Sequence, residues 1–259
     1  MRPMPSESGN AAAWKQHVVL AYLDEPPFCA PGPDGRPAGC DMEVAFAVLA
    51  AIGVRRIETR LVTFADLLPG VAAGAWTLNT PLFVTSERSE LVDFSRPVWS
   101  LADGFMVRAG NPQGLTSYEA VADGTAVLGV VADQVQEQSG LRAGIPRDRI
   151  RRFATQQDAV TGLLDGAVDA YASVAMAHRG YLRGSPDPRL SVVDFGASGT
   201  GGEGTRAAYG AYSFAKSDGA LRHAFDAQLG SYLGSAEHRA LMAGYGFADG
   251  DIDRVIRPG

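Results

Sequence analysis

The chain has no apolar run of membrane-spanning length, so no segment reads as a transmembrane helix. It also lacks clusters of lysine and arginine, and its net charge is −6. Proteins that grip a phosphate backbone carry basic patches, so a nucleic-acid partner is not expected. Histidines are few: His17, His178, His223 and His238 are scattered, and no two are spaced as a ligand pair. No metal site is nominated. There is no G-x-S-x-G, no cysteine with a histidine partner in a recognisable motif, and no Walker A lysine, so the usual nucleophile and nucleotide signatures are missing. No cofactor is nominated. One stretch, Gly199-Thr-Gly-Gly-Glu-Gly204, matches G-x-G-x-x-G in letters. A dinucleotide site needs those glycines between a strand and a helix. The residues that follow, TRAAYGAYSFA, read as a strand, and the stretch is expected to be a connector.

What is present is an alternation of strands and helices. The 259 residues, 46% apolar and 20% charged, suffice for one large domain or two modest ones. HVVLAYL (17–23) reads as a strand. A helix follows with Asp41 as its N-cap, an apolar face of Ala45, Val48, Leu49 and Ile52, and a stop at Gly53. IETRLV is the next strand. Thr63 opens a short helix with Leu67, Leu68 and Val71 inward, and Trp76 to Val84 is strand-like. The pattern recurs in GFMVRAG, TSYEAVA, TAVLGVV, ADQVQEQSGL and IRRFA. A helix capped by Thr155 then places Ala159, Val160, Leu163 and Leu164 inside, before the strand DAYASV. A late strand, RAAYGAYSFA, and two C-terminal helices complete the pass. Such alternation implies an α/β protein with mainly parallel sheets. FADLLPGVAAGAWTLNT (from Phe64) and FATQQDAVTGLLDGAVDAYAS (from Phe153) share one frame, which suggests two lobes of like topology.

Residues 1–16 read as a disordered lead-in. MRPMPSESGNAAAWKQH has no basic segment followed by a long apolar core, so it is not a secretory signal as written. The two cysteines, Cys29 and Cys40, flank APGPDGRPAG, a turn-forming stretch between two short strands. Two readings stay open: a disulfide across the hairpin in an oxidising compartment, or two free, partly buried thiols.

The segment LNTPLFVTSERSELVDFSRPVW (78–99) also leaves two readings. Arg88 follows a buried-looking run and sits in the first turn of a short helix. It pairs with Glu87 or Glu90 on the surface, or it stands at the mouth of a cleft and grips a carboxylate. The carboxylates Glu119, Glu137, Asp165 and Asp169 sit where solvated helix faces and caps would put them, so none is nominated as a general acid.

From roughly Val18 to Gly246 the chain resembles the bacterial periplasmic solute-binding proteins of family 3, the polar amino acid transporter type. The resemblance is carried by PPF at Pro26–Phe28, GRPAGCDMEVAFAVLAAIGV, LLPGVAAG, VTSERSELVDFSRPVW, LGVVADQVQEQ, LLDGAVDAYAS and YGAYSFAKSDGALRHAFDAQL. It implies a two-lobed type 2 periplasmic-binding-protein fold, with lobe one from residues 17–108 plus 206–259 and lobe two from 109–205. A non-enzymatic, monomeric solute-binding protein is implied, closing on a small carboxylate-bearing or zwitterionic solute for an ABC permease. By position, Arg88 matches the arginine that clamps a ligand carboxylate, and Thr80 and Phe83 line the cleft before it. Phe64 matches an aromatic cover, and Tyr22 and Glu25 lead into the site. Gln134, Val135 and Gln136 match a helix N-terminus that holds the carboxylate. Two departures stand out. Where relatives carry an acid for an α-ammonium group, this chain has Ser173, Val174 and Ala175, with Glu25 as the candidate substitute from the other lobe. Pro81 and Leu82 replace a small polar pair, so Leu82 makes the pocket more apolar. A periplasmic location is implied, with a cytoplasmic one left open by the N-terminus. The alternatives on the same fold are an enzyme like the cyclohexadienyl and arogenate dehydratases, and a cytoplasmic ligand sensor.

Overall fold

The structure, a computed structural model, describes residues 13–32, 34–198 and 208–256. Its strands are β1 (Val18–Tyr22), β2 (Ala30–Pro31), β3 (Pro37–Ala38), β4 (Ile57–Leu61), β5 (Leu78–Phe83), β6 (Asp93–Phe94), β7 (Trp99–Leu101), β8 (Asp103–Arg108), β9 (Leu128–Val131), β10 (Ile150–Phe153), β11 (Ala170–Val174), β12 (Leu190–Asp194) and β13 (Ala208–Phe214). They form two main sheets, β4-β1-β5-β13-β6 with β7 also on β13, and β10-β9-β11-β8-β12.

The two sheets have one plan. In each, the first three strands run parallel, and the fourth returns antiparallel and carries the fifth. Each sheet is thus mainly parallel, as expected, with a single strand, β13 or β8, that returns against its neighbours. The shared sequence frame corresponds to β4–helix–β5 and β10–helix–β11, with helices Phe64–Ala72 and Gln156–Leu164 as the crossovers. Leu67 and Val71 are buried in the first, and Ala159, Val160 and Leu163 in the second, while Leu68 and Leu164 are only half-buried. Each sheet packs its own apolar layer, the first around Leu20, Leu78 and Phe225, the second around Phe105, Leu128 and Tyr171.

The chain passes between sheets from Leu101 to Asp103. Strand β8 is thus part of the second sheet, so the lobe boundary expected after residue 108 falls late. Residues 13–16 are helical rather than part of a disordered lead-in. Trp14 packs on the core, and Lys15 O accepts from Arg55 N at 2.8 Å. Residues 1–12 of that lead-in, and the Gly199–Gly204 connector, lie outside the described residues.

Helix Cys40–Ala51 starts two residues earlier than expected, with Gly39 rather than Asp41 as its N-cap. Asp41 is not the cap, because its carboxylate turns inward to accept from the Trp99 indole at 3.1 Å. The cysteines are both free and buried. The β2–β3 pairs are Ala30 with Ala38 and Pro31 with Pro37, so Cys29 falls opposite Gly39, and Cys40 lies one residue out of register. Their sulfurs approach Thr80 Oγ1 (4.0 Å) and Asp41 Oδ1 (3.6 Å) instead. Helix Ala175–Gly184, strand β12 and the last helix, Asp249–Ile256, have no counterpart in the sequence reading.

Candidate functional site

A cavity lies where the ends of β1, β5, β9 and β11 converge between the sheets. Open α/β sheets place crevices at the carboxyl ends of their strands. Its polar lining comes from Glu25 after β1, Thr80 on β5, Arg88, Gln134 and Gln136 after β9, and Ser173 on β11.

Arg88 is set by local capping. Thr85 is extended, and its Oγ1 accepts Arg88 N at 3.2 Å, which opens helix Ser86–Leu91 and puts Arg88 in its first turn. The side chain folds back over β5. Nη1 donates to Phe83 O at 2.8 Å, and Nη2 reaches Asp133 O at 2.9 Å on the far side of the cleft. The guanidinium lies 5.2 Å from the centre of the Phe64 ring. The residue is only 7% exposed. Burial lowers its pKa to about 10, so it remains a cation at neutral pH. Among the described residues no carboxylate lies within salt-bridge range of it, and Glu87 and Glu90 are exposed. The surface-pair reading therefore fails.

Helix Val135–Arg142 begins beside this guanidinium, with Gln134 as N-cap and no side-chain cap. First-turn amides have no acceptor within a helix and present positive potential. Gln136 is held from behind: its Nε2 donates to Asp103 Oδ1 at 2.7 Å, and Asp103 Oδ2 accepts from Tyr118 at 2.8 Å. Arg88 and this helix start thus form a cationic end suited to an anion.

The opposite end is an acceptor cluster. Glu25 sits in a tight turn, with its N–H donating to Cys29 O at 2.8 Å and its carbonyl accepting from Phe28 and Cys29. Its Oε1 accepts from Gln134 Nε2 and from Ser173 Oγ, each at 3.4 Å, both across the cleft. Desolvation raises its pKa, and these two hydrogen bonds pull it back. No lysine or arginine pairs with it among the described residues. Gln134 Oε1 is buried with no partner. Glu25 therefore reaches Ser173 on β11 from the other lobe.

Apolar walls join the two ends. Phe28 and Phe83 flank Trp99 at centroid distances of 5.4 and 5.5 Å. This inner chamber, about 40 Å³, shares Leu23, Glu25, Phe64 and Gln134 with an outer one of about 480 Å³. The Glu25–Gln134 contact thus lies on the passage between them. Among the described residues no cluster of three or more His, Cys, Asp or Glu could hold a metal ion.

Of the residues singled out from the sequence, Glu25, Phe64, Thr80, Leu82, Phe83, Arg88, Gln134, Val135, Gln136 and Ser173 line this cavity. Tyr22 does not. It shares the inward face of β1 with Val18 and Leu20 and packs into the core of the first lobe. The sequence reading missed Phe28 and Trp99. The aromatic directly after Pro26-Pro27 was the signal for the first. Trp99 ends the segment that carries Arg88, but only the return of β7 onto β13 brings it to the cavity.

The model of the bacterial extracellular solute-binding proteins, family 3, matches residues 18–248. The chain belongs to that family. A probable amino-acid ABC transporter periplasmic-binding protein of Sinorhizobium fredii is 30% identical over 243 residues, 92% of this chain and 80% of that protein. The crystal structure of EhuB in complex with hydroxyectoine superposes with a TM-score of 0.84 at 28% identity, over 96% of this chain and 98% of that one. The arginine-, lysine-, histidine-binding protein ArtJ of Geobacillus stearothermophilus superposes at 0.81 with 19% identity, covering 93% and 99%. That likeness is one of fold. The two-lobed architecture is that of the type 2 periplasmic binding proteins, and this family 3 member is a solute-binding protein.

Proposed function

We propose that the protein captures a small zwitterion between its lobes, with the carboxylate on Arg88 and the helix start at Gln134–Gln136, and the cation at Glu25. It then hands the solute to the permease of an ABC transporter. The observation that carries this reading is a guanidinium and a carboxyl group, Arg88 and Glu25, on one cavity and not paired with each other. A cation at Glu25 favours its ionised form against the desolvation that raises its pKa. A desolvated, unpaired charge is costly. A zwitterion offsets both costs at once, whereas a simple anion or cation offsets one.

The cationic end of the solute faces few acceptors and several rings. A compact α-ammonium needs three acceptors, while a flat, delocalised ring cation needs two and stacks on aromatic faces. Glu25 and the unpartnered Gln134 Oε1, with Phe64 nearby, favour the flat cation. Hydroxyectoine has that chemistry, a ring amidinium beside a carboxylate, and it is the ligand in the EhuB complex. The second reading is an α-amino acid, favoured by the name of the Sinorhizobium relative. In either case the protein acts as an exported monomer.

A binding role is preferred to a catalytic one. A dehydratase on this fold needs an acid over the leaving group from the second lobe, and β11 supplies Ser173 there. Incubation with prephenate is expected to give no phenylpyruvate.

The test is a thermal-shift screen of hydroxyectoine, α-amino acids, and matching carboxylates and amines that lack one charge. A solute at a hundred times its Kd adds about 2.7 kcal/mol to stability. Hydroxyectoine is expected to raise the melting temperature most. A rise with an α-amino acid alone would establish the second reading. A rise with singly charged analogues equal to that with zwitterions would overturn both.

A further inference from the structure

Behind the aromatic wall of the cavity lies a carboxyl group that lines neither chamber. Asp41, in the first turn of helix Cys40–Ala51, is 2% exposed. Its Oδ1 accepts from the Trp99 indole N–H at 3.1 Å and from the Cys40 thiol at 3.6 Å. Its Oδ2 is buried with no partner. The titratable groups facing it are Cys40 on its own helix, Cys29 and Glu25 on the turn after β1, and Tyr212 on β13. The Tyr212 hydroxyl donates to the backbone carbonyl of Asp41 at 2.5 Å. No basic side chain forms a salt bridge with Asp41 among the described residues.

Trp99 is the group this carboxyl controls. The indole lines the inner chamber between Phe28 and Phe83. Part of the ring lies over Gly210 on β13, where an added Cβ would fall 2.1 Å from Cη2, so no larger residue fits there. These contacts fix the tilt of the ring. The bond at Nε1 fixes its edge, and hence its rotation. Trp99 also begins the segment that crosses to the second sheet, whose far end, Asp103, holds Gln136.

We propose that Asp41 is a positioning residue for solute binding: its carboxyl orients the Trp99 indole that walls the inner chamber, so solute affinity depends on a side chain the solute does not touch. This rests on the inner chamber being the solute site. Burial pushes the Asp41 pKa up to about 8, so its charge changes just above neutral pH. Burial also pushes the thiols of Cys29 and Cys40 and the Tyr212 hydroxyl up, and these stay protonated through that range. An ionised acceptor makes the stronger, charge-assisted bond to the indole. The wall is therefore held most firmly above that pH, and affinity rises through it.

The experiment follows the indole N–H resonances of the three tryptophans by nitrogen-15 NMR of the full chain without solute, from about pH 6 to pH 9.5. Loss of a peak in Trp99→Phe assigns the relevant one. The Trp99 resonance is expected to move with a midpoint near pH 8, while Trp76, bonded to Asn79, stays still. In Asp41→Asn, which keeps an acceptor without a titrating proton, the Trp99 resonance is expected to stay in place. Calorimetric affinity for hydroxyectoine is expected to lose its pH dependence in Asp41→Asn and to fall roughly tenfold in Asp41→Leu. A Trp99 resonance that does not titrate in the wild type, or that titrates unchanged in Asp41→Asn, would overturn the proposal. Wild-type affinity in Asp41→Leu would overturn it as well. If hydroxyectoine gives no heat with the wild type, the proposed solute fails, while the indole titration still decides the role of Asp41. If Asp41→Leu does not fold, the Asp41→Asn titration decides it too.

Discussion

Burying Arg88 and Glu25 on one cavity without pairing them leaves the cleft with a desolvated cation and a carboxyl group whose ionised form burial disfavours. Each is held by neutral partners, Arg88 by backbone carbonyls and Glu25 by an amide and a hydroxyl. Such partners orient a charge without cancelling it, which suits a solute that must be bound and then released. Asp41 is a third buried ionisable group, and it makes stability depend on pH. Its pKa rises from 3.8 to about 8 on folding, so between those values the native state holds a proton that the unfolded chain has released. Stability from this group is therefore present at acid pH and is lost as pH rises, by up to about 1.4 kcal/mol per pH unit. Asp41→Asn is expected to be more stable than the wild type at pH 7, with the difference shrinking towards pH 4, as read by urea unfolding at several pH values. At this scale the short helix that Thr85 caps makes the position of Arg88 in a first turn legible. Its neighbours alone leave a surface pair and a cleft residue equally open, and only the family resemblance points to the cleft. Asp41 looks like a helix cap from its neighbours alone, and only tertiary packing brings Trp99, 58 positions away, to its carboxylate.

Elements whose signals are local were the readable ones. Thr155 caps its helix by accepting from Asp158 N at 3.1 Å, and the Thr63 N–H donates to Asp66 at 3.2 Å, both within one turn. Helix Ala175–Gly184 has no cap of that kind. Val174 precedes it without a side-chain oxygen to offer, so its start leaves no mark in the sequence. Strand β5 is buried along its whole length, and Asn79 ties it to its surroundings. The Asn79 Nδ2 group donates to Leu67 O and Ser213 Oγ, both at 2.9 Å, and Oδ1 accepts from the Trp76 indole. One side chain thus joins the strand to helix Phe64–Ala72 and to β13. Asn79→Ala strands these buried groups and is expected to cost about 1–3 kcal/mol in urea unfolding, with the slope unchanged. Because β5 leads directly to Arg88, the same variant is also expected to weaken solute binding.

Across the whole molecule, two lobes of one topology meet at a cleft, crossed by apolar contacts from Val135, Val174, Met176 and Ala177 and by polar ones at the cavity. Arg88 reaches Asp133 O from the first lobe, and Gln134 and Ser173 reach Glu25 from the second. A solute that touches both sides shifts a hinge equilibrium only by its differential affinity for the closed form. The repeat of helix and strand made two lobes legible, but not where the chain crosses between them. Strand β8 is apolar and regular and would suit either sheet, and its partners are distant in sequence. The central claim is that opposite ends of one solute are held by Arg88 and Glu25. Titration calorimetry of the wild type, Arg88→Ala and Glu25→Gln with the zwitterion that gives the largest thermal shift tests it most directly. Each variant is expected to lose about 2–5 kcal/mol of binding free energy, and the exposed-site control Glu87→Ala to lose none. Wild-type affinity in folded Arg88→Ala, or in folded Glu25→Gln, would contradict it.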